Sequence, residues 1–266
     1  MMSADLDLDL ALAAASAAAA IIRAAIDQQQ TVEYKGLVDP VTAIDREAEA
    51  AIIHCIRAEH PHDLILSEEA GGPPWNVGRV WICDPLDGTV NFLHGLPHVS
   101  VSIGLWEDGE PRLGVVIDVM REEVFAARVG QGATLNGRPI GVSETTEPRR
   151  ALIVTGFPYD RHLHAADYLR PVEQVLERYQ GIRRLGSAAL DLCWTACGRF
   201  DGYWEYTLKP WDAAAGTVIL EEAGGILTDP AGRHHNLDTL TSIAGNPHIQ
   251  PDLAATVIPH IPAHLR

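Results

Sequence analysis

The sequence predicts an α/β protein with α+β character, and three observations predict it. Residues 151–266 alternate short apolar runs with helical periods, the pattern of a largely parallel sheet covered by helices. Val99 to Leu135 instead reads as four β-runs joined by tight turns, an antiparallel meander. Before residue 60, two long stretches carry apolar residues at helical spacing. Mixed sheets flanked by helices follow. The polar stretch Ser143 to Arg149 is the candidate boundary between an N-terminal half, 1–142, and a C-terminal half, 143–266.

Asp9 to Gln28 is rich in Ala and Ile and reads as a helix. Thr31 to Asp45 is a polar loop carrying Gly36 and Pro40. A second helix spans Ile44 to Glu59, with Ala48, Ile52, Ile53 and Ile56 at helical spacing, and stops at His60-Pro61. Leu64-Ile65-Leu66 is a short strand running into Ser67-Glu68-Glu69, before a Gly-Gly-Pro-Pro loop. Val80 to Cys83 is a buried strand expected to stop at Asp84, because Pro85 fixes its own φ and keeps Asp84 out of helical geometry. Gly88 and Thr89 then read as a helix start, where free N–H groups attract anions. The meander follows, with turns at Glu107-Asp108-Gly109 and Asn136-Gly137. In the second half, strands are expected at Ala151–Val154, Ile182–Leu185, Gly202–Tyr206, Ile226–Thr228 and Ser242–Ala244. Helices are expected at His162–Tyr179, Ser187–Cys197, Trp211–Ala223 and after Pro251, the third closed by Gly224-Gly225.

Composition narrows the function. The net charge of −16 argues against a nucleic-acid partner, which needs a basic face to meet phosphates. It also means that an anionic substrate must find a local positive centre, and bound cations would supply one. No segment is expected to span a membrane. Ala11 to Ile22 lacks the basic flank of a signal peptide, since Asp5, Asp7 and Asp9 precede it. Cys55, Cys83, Cys193 and Cys197 have no histidine at zinc-site spacing, so buried, reduced thiols and a cytoplasmic location are expected.

Four acids stand at expected strand ends or helix starts: Glu68, Asp84, Asp87 and Asp212. Alone, Asp84 and Asp87 have as good a claim to be solvated acids at a strand end. Asp212 alone reads as a helix N-terminal acid favoured by the dipole. Together they suit Mg²⁺, which takes hard oxygen ligands in an octahedron and keeps several waters; the Leu86 carbonyl would fill one position. Spacing does not show whether the fold brings them together.

These residues carry a family resemblance. Asp84-Pro85-Leu86-Asp87-Gly88-Thr89-Val90-Asn91-Phe92 and Trp211-Asp212-Ala213-Ala214-Ala215-Gly216 resemble the two signature motifs of the inositol monophosphatase family. Ser67-Glu68-Glu69 is similar to its metal-site glutamate segment, and Asp39-Pro40-Val41-Thr42-Ala43-Ile44-Asp45 to its upstream acidic loop. Gly156-Phe157-Pro158 and Gly186-Ser187-Ala188-Ala189-Leu190-Asp191 extend the match over nearly the whole chain, in order. The resemblance implies a layered αβαβα sandwich of the sugar-phosphatase type and Mg²⁺-dependent phosphomonoester hydrolysis by a metal-activated water, with two or three ions. By that resemblance Glu68, Asp84 and the Leu86 carbonyl hold one ion, and Asp84, Asp87 and Asp212 a second. Glu68 and Thr89 aim the attacking water, and Asp45 acts through the Thr89 hydroxyl. The Gly88 and Thr89 amides grip phosphate oxygens. The substrate wall takes in Asp87, Gly186, Ser187, Ala188, Glu205 and Asp212, and Lys35 falls in a loop that covers the site. Lithium inhibition and a homodimer are implied in the same way.

The expected substrate is a small polyol phosphate, myo-inositol 1-phosphate first. Histidinol phosphate, fructose 1,6-bisphosphate and adenosine 3′,5′-bisphosphate are alternatives, and a non-catalytic regulatory protein on the same fold is a rival of another class. Glu205 followed by Leu208-Lys209-Pro210 resembles the inositol-type wall more than the nucleotide type. His94 and His98 are expected to be structural or to act behind the residues that touch the site, His234-His235 to be solvated, and Glu221-Glu222 to be an exposed helix end. Glu68 is favoured over Glu69 as the ligand. Arg183 and Arg184 have equal claims to a surface strand edge and to a partner or second-phosphate contact.

Overall fold

The computed structural model describes residues 3–26, 28, 30–36, 40–262 and 265. Asp39, in the acidic-loop motif, lies outside the described residues. Helix α1 (Ser3–Ala25) carries a stripe of buried residues, the small Ala11, Ala14, Ala15, Ala18 and Ala25 with Ile22, at the three- and four-residue spacing of one helix face. Small side chains let α2 (Ala43–Glu59) lie close against it. The segment Leu6–Ala25 has the length and apolar composition of a membrane span, contrary to the expectation that none does; its small-residue face packs against α2 and the first sheet. The expected loop before α2 holds a two-stranded antiparallel hairpin, β1 (Val32–Tyr34) and β2 (Pro40–Thr42). Thr42 caps α2: its Oγ1 accepts from Ile44 N at 3.1 Å, while its own N donates to Asp45 Oδ2 at 2.8 Å.

Seven strands form the first sheet in chain order: β3 (Leu64–Ser67), β4 (Arg79–Asp87), β5 (Ser100–Glu107), β6 (Glu110–Asp118), β7 (Glu123–Arg128), β8 (Ala133–Leu135) and β9 (Arg138–Pro139). β3 and β4 run parallel and the rest is the expected antiparallel meander. β4 does not stop at Asp84. It continues through Pro85 to Asp87, with the register shifting between Asp84, which faces Ser102, and Asp87, which faces Ser100. The shift absorbs the proline, because the bulged residues owe no ladder bond. A five-residue helix, α3 (Thr89–Leu93), follows Gly88.

The second sheet has the order β11-β10-β12-β14-β13, from β10 (Leu152–Thr155), β11 (Gly181–Arg183), β12 (Gly202–Tyr206), β13 (Ile226–Thr228) and β14 (Thr241–Gly245). β10, β11 and β12 are parallel; β14 is antiparallel to both β12 and β13. The helices are α4 (Arg161–Arg178), α5 (Ala188–Ala196), α6 (Pro210–Glu222) and α7 (Ile249–Val257). α7 starts two residues before Pro251, which is tolerated because a first-turn N–H has no partner inside the helix.

Side-chain alternation along the strands sets the layers. In β4, Trp81 and Cys83 face α1 and α2, whereas Val80 and Ile82 face α5 and α6. In β12, Tyr203 points to α5 and α6, and Trp204 and Tyr206 point to α4 and α7. The result is αβαβα: α1 and α2, the seven-stranded sheet, α5 and α6, the five-stranded sheet, then α4 and α7. One apolar core joins Ile82, Val116 and Phe125 to Tyr203 and Ala244 through the middle helices, across the 142/143 boundary.

The middle helix layer sits unusually close to the first sheet. Gly104 and Gly114 are cross-strand partners in β5 and β6. A Cβ on Gly104 would come 2.9 Å from Ala214 Cβ, and one on Gly114 2.4 Å from the Ala215 carbonyl oxygen. Two paired glycines opposite Ala213-Ala214-Ala215 therefore let α6 lie on the sheet backbone, which brings its first turn to the carboxyl end of β4.

Candidate active site

In a regular strand, residues three apart point to opposite faces. Asp84 and Asp87 do not, because three steps on β4 match the two from Ser102 to Ser100 on β5. The bulge turns both acids toward one cavity of about 500 Å³, lined also by Lys35, Glu68, Leu86, Gly88, Thr89, Gly186, Ala188, Glu205 and Asp212. Glu68 arrives on the end of β3, its N–H bonded to the Cys83 carbonyl at 3.2 Å. Asp212 arrives in the first turn of α6.

Each acid is held by the surrounding chain. Asp84 Oδ1 accepts from Leu86 N at 3.0 Å. Asp87 Oδ2 accepts from Ser187 Oγ at 2.6 Å and from Ala189 N at 2.9 Å, at the start of α5. Asp212 Oδ2 accepts from Lys209 N at 2.7 Å. Among the described residues, no hydrogen bond reaches Asp87 Oδ1 or Asp212 Oδ1, so each keeps one oxygen toward the cavity. Among the described residues, no three His, Cys, Asp or Glu side chains close tightly on a single point. These carboxylates stand near enough to repel yet are anchored separately.

Electrostatics records the crowding. Burial, then the charges of Glu68, Asp87 and Asp212, push Asp84 well above the usual carboxylate range. Burial and then Asp87 do the same to Asp212. Burial raises Asp87 too, against the donors at Ser187 and Ala189. Burial pushes Glu68 up to about 7, with Lys35 opposing. A set of hard, pre-anchored oxygen donors that repel one another fits Mg²⁺, whose charge would offset that repulsion. Glu68, Asp84, the Leu86 carbonyl, Asp87 and Asp212 are the residues that would hold it.

Gly88 forms the floor beside these acids. Its φ of 92° lies in the left-handed region, and a Cβ there would meet the His98 carbonyl oxygen at 2.9 Å. Behind it, Thr89 Oγ1 stands 3.1 Å from Asp45 Oδ1 and 3.1 Å from the Leu86 carbonyl. Asp45 is buried and does not line the cavity; its hydrogen-bonded link to the site is Thr89. Glu205 Oε2 accepts from the Tyr203 hydroxyl at 2.9 Å. Burial and then Asp191 push its carboxyl up to about 8.

Several expectations need correction. Ser187 does not line the cavity: it is buried, and its hydroxyl holds Asp87 and caps α5 at Leu190 N, 3.3 Å away. His235 is buried rather than solvated, bonded to Ser242 at 3.0 Å and pushed down to about 4 by burial. Glu221 pairs with His234 at 2.8 Å, and both Glu222 oxygens accept backbone N–H groups, from Gly130 and Gly132, at 2.7 Å each. Neither is a bare helix end. His98 is buried against Trp194 and pushed down to about 4 by burial, as a structural histidine would be. Arg183 is exposed on the edge strand β11, but Arg184 lines the cavity. Sequence reasoning passed over Arg161 as a lining residue; Lys209 and Trp211, quoted within the wall and motif segments without a role of their own, also line the cavity.

A five-layer αβαβα chain with an acidic cleft between its two sheets describes a class of fold and site. A model of the inositol monophosphatase family matches residues 5–265, and the chain belongs to that family. It is similar to the "Nus factor SuhB" of Pseudomonas aeruginosa, 41% identical over 241 residues and 89% of each chain. It is similar to the Nus factor SuhB of Escherichia coli K12, 43% identical over 218 residues and 81% of each chain. Among solved structures, an inositol monophosphatase from Anabaena superposes with a TM-score of 0.87 at 39% identity, covering 97% of both chains. An IMPase from Thermotoga maritima superposes with a TM-score of 0.87 at 35% identity, covering 98% of both chains.

Proposed function

We propose that this chain is a Mg²⁺-dependent phosphatase of a small polyol phosphate monoester, with myo-inositol 1-phosphate the first candidate. The observation that carries the reading is the arrival of Glu68, Asp84, Asp87 and Asp212, from two neighbouring strands of the first sheet and a middle helix, in one cavity beside Gly88 and Thr89. When bound, the cations supply Lewis-acid charge that acidifies water and offsets phosphate charge. Glu68, lining the same cavity as Thr89, is the carboxylate placed to take up a proton from the attacking water. Thr89, its proton committed to Asp45 or to the Leu86 carbonyl, offers a lone pair that orients that water. Glu205, held by the Tyr203 hydroxyl, hydrogen-bonds a substrate hydroxyl and sets the choice of alcohol. The four cysteines are free, in keeping with a cytoplasmic enzyme.

The test is a panel of phosphate esters assayed for released phosphate with and without Mg²⁺. Inositol 1-phosphate turnover that needs the metal is expected; preference for a nucleotide bisphosphate sinks the polyol assignment. Asp87→Asn is expected to lower kcat by at least about 10²-fold with the fold intact, and an active variant refutes the role of Asp87.

A second reading is favoured by the name of the curated relatives, Nus factor, which belongs to transcription rather than to phosphate metabolism. On that reading the fold serves a partner, with or without turnover. Asp87→Asn separates the two, since it removes hydrolysis and leaves the outer surfaces untouched.

A further inference from the structure

Lys35 follows β1, and its ammonium lies between two carboxylates with different duties. Nζ is 2.5 Å from Glu69 Oε1 and 3.0 Å from Glu68 Oε1. Glu69 does not line the cavity, and its side chain is only 8% exposed. Its backbone is fixed as well, with Glu69 N and Ala70 N both donating to Glu49 Oε1, at 3.2 Å and 2.9 Å. Glu68 does line the cavity, and it couples to Asp84 and to Asp212 behind it. Glu69 is thus a fixed anchor that the lysine keeps, whereas Glu68 Oε1 is an oxygen that a metal ion also needs.

We propose that Lys35 is a tethered cation that competes with the divalent ion for Glu68 and so sets the metal concentration at which the site fills. The proposal rests on the phosphatase reading only in taking Glu68 as a metal ligand. Three other basic side chains line the cavity, Arg161, Arg184 and Lys209, and among the described residues none forms an ion pair with Glu68, Asp84, Asp87 or Asp212. Among the described residues, Lys35 is the one basic side chain in an ion pair with Glu68. One positive charge on Glu68 steadies the carboxylate cluster, and the same charge repels an arriving cation and occupies its oxygen. The effect is reciprocal: whatever Lys35 contributes to the cluster, a metal ion must overcome on binding.

The experiment uses the whole protein without substrate and Mn²⁺ as the probe, with free Mn²⁺ followed by electron paramagnetic resonance. Lys35→Met is expected to bind Mn²⁺ about five- to tenfold more tightly than the parent. It should also melt lower in EDTA, with the gap closing at saturating Mn²⁺. Lys35→Arg keeps the charge and should stay within about twofold of the parent affinity. Unchanged or weaker Mn²⁺ binding by a cooperatively unfolding Lys35→Met overturns the proposal, as does equal tightening by Lys35→Arg. Should Lys35→Met fail to fold, Lys35→Gln gives the same readout. A parent chain that binds no Mn²⁺ sinks the phosphatase reading itself; a parent that binds and a variant that does not differ sink only the competing lysine.

Discussion

The hydroxyl of Thr89 stands 3.1 Å from two acceptors, Asp45 Oδ1 and the Leu86 carbonyl, and has a single proton to give. Asp45 is itself pinned by Thr42, whose N and Oγ1 donate to Oδ2 at 2.8 and 2.6 Å. The cap of α2 and the aim of Thr89 therefore share one carboxylate. Thr89→Ala is expected to lower kcat about 10²-fold with little change in KM, while Thr89→Ser keeps most of the rate; steady-state kinetics on a phosphate ester checks both. Glu205 tests a different property. Burial, reinforced by Asp191, pushes its folded pKa up to about 8 from an ordinary 4.5, so the folded chain holds this proton more tightly than the unfolded one. Between those values the unfolded state releases the proton first, and stability falls as pH rises. Glu205→Gln removes that fall. In EDTA, its melting temperature should gain on that of the parent steadily from pH 5 to pH 8, and parallel curves would show that Glu205 titrates normally.

At the scale of elements, the site depends on where α6 can lie. Gly104 and Gly114 leave the sheet bare where Ala214 and Ala215 cross it, so the helix approaches to backbone contact and its first turn carries Asp212 to the end of β4. Gly114→Ala places a methyl 2.4 Å from the Ala215 carbonyl. Overpacking of this kind costs about 1–3 kcal/mol, and chemical denaturation should report a loss of that size. Because the same displacement carries Asp212 away from β4, metal affinity should fall along with stability. Neither glycine is marked in the sequence as anything but a strand residue, since the alanines that need them, Ala214 and Ala215, lie far along the chain. The β4 bulge is the second such element. Pro85 reads as a stop, and it is one for the hydrogen-bond ladder but not for the strand.

At the scale of the whole molecule, the chain carries a net charge of −16 and is proposed to act on anions. The long-range field repels a phosphate ester, and the attraction is confined to the cavity with its cations. Screening acts on the long-range part first, since the Debye length shrinks to about 8 Å at physiological ionic strength. At saturating Mg²⁺, kcat/KM for a phosphomonoester is expected to rise by roughly two- to fivefold as salt increases from very low ionic strength to that level. A monotonic fall would mean that Arg161, Arg184 and Lys209 at the cavity wall dominate the approach. The layered plan itself follows from alternation: β4 and β12 bury both faces, so each sheet must be covered twice, and α5 with α6 serves both at once.

The acids and the hydroxyl of the candidate site were legible from the residues. Asp84, Asp87, Gly88 and Thr89 on one strand end, Glu68 on the strand before and Asp212 at a helix start are local facts, set by propensity, proline geometry and helix termini. Apart from the β1–β2 hairpin, read as a loop, the main strand and helix order was legible for the same reason, because periods of 2 and 3.6 are properties of short windows. What only the tertiary structure decided is non-local. Whether Asp84 and Asp87 share a face depended on a register against β5, and Asp212 reached them only because two distant glycines admitted α6. Ser187 proved to hold Asp87 rather than line the cavity, and Glu69 to anchor a lysine rather than face it. Each of these turns on which side chain a neighbour from another part of the chain meets, and packing alone chooses that.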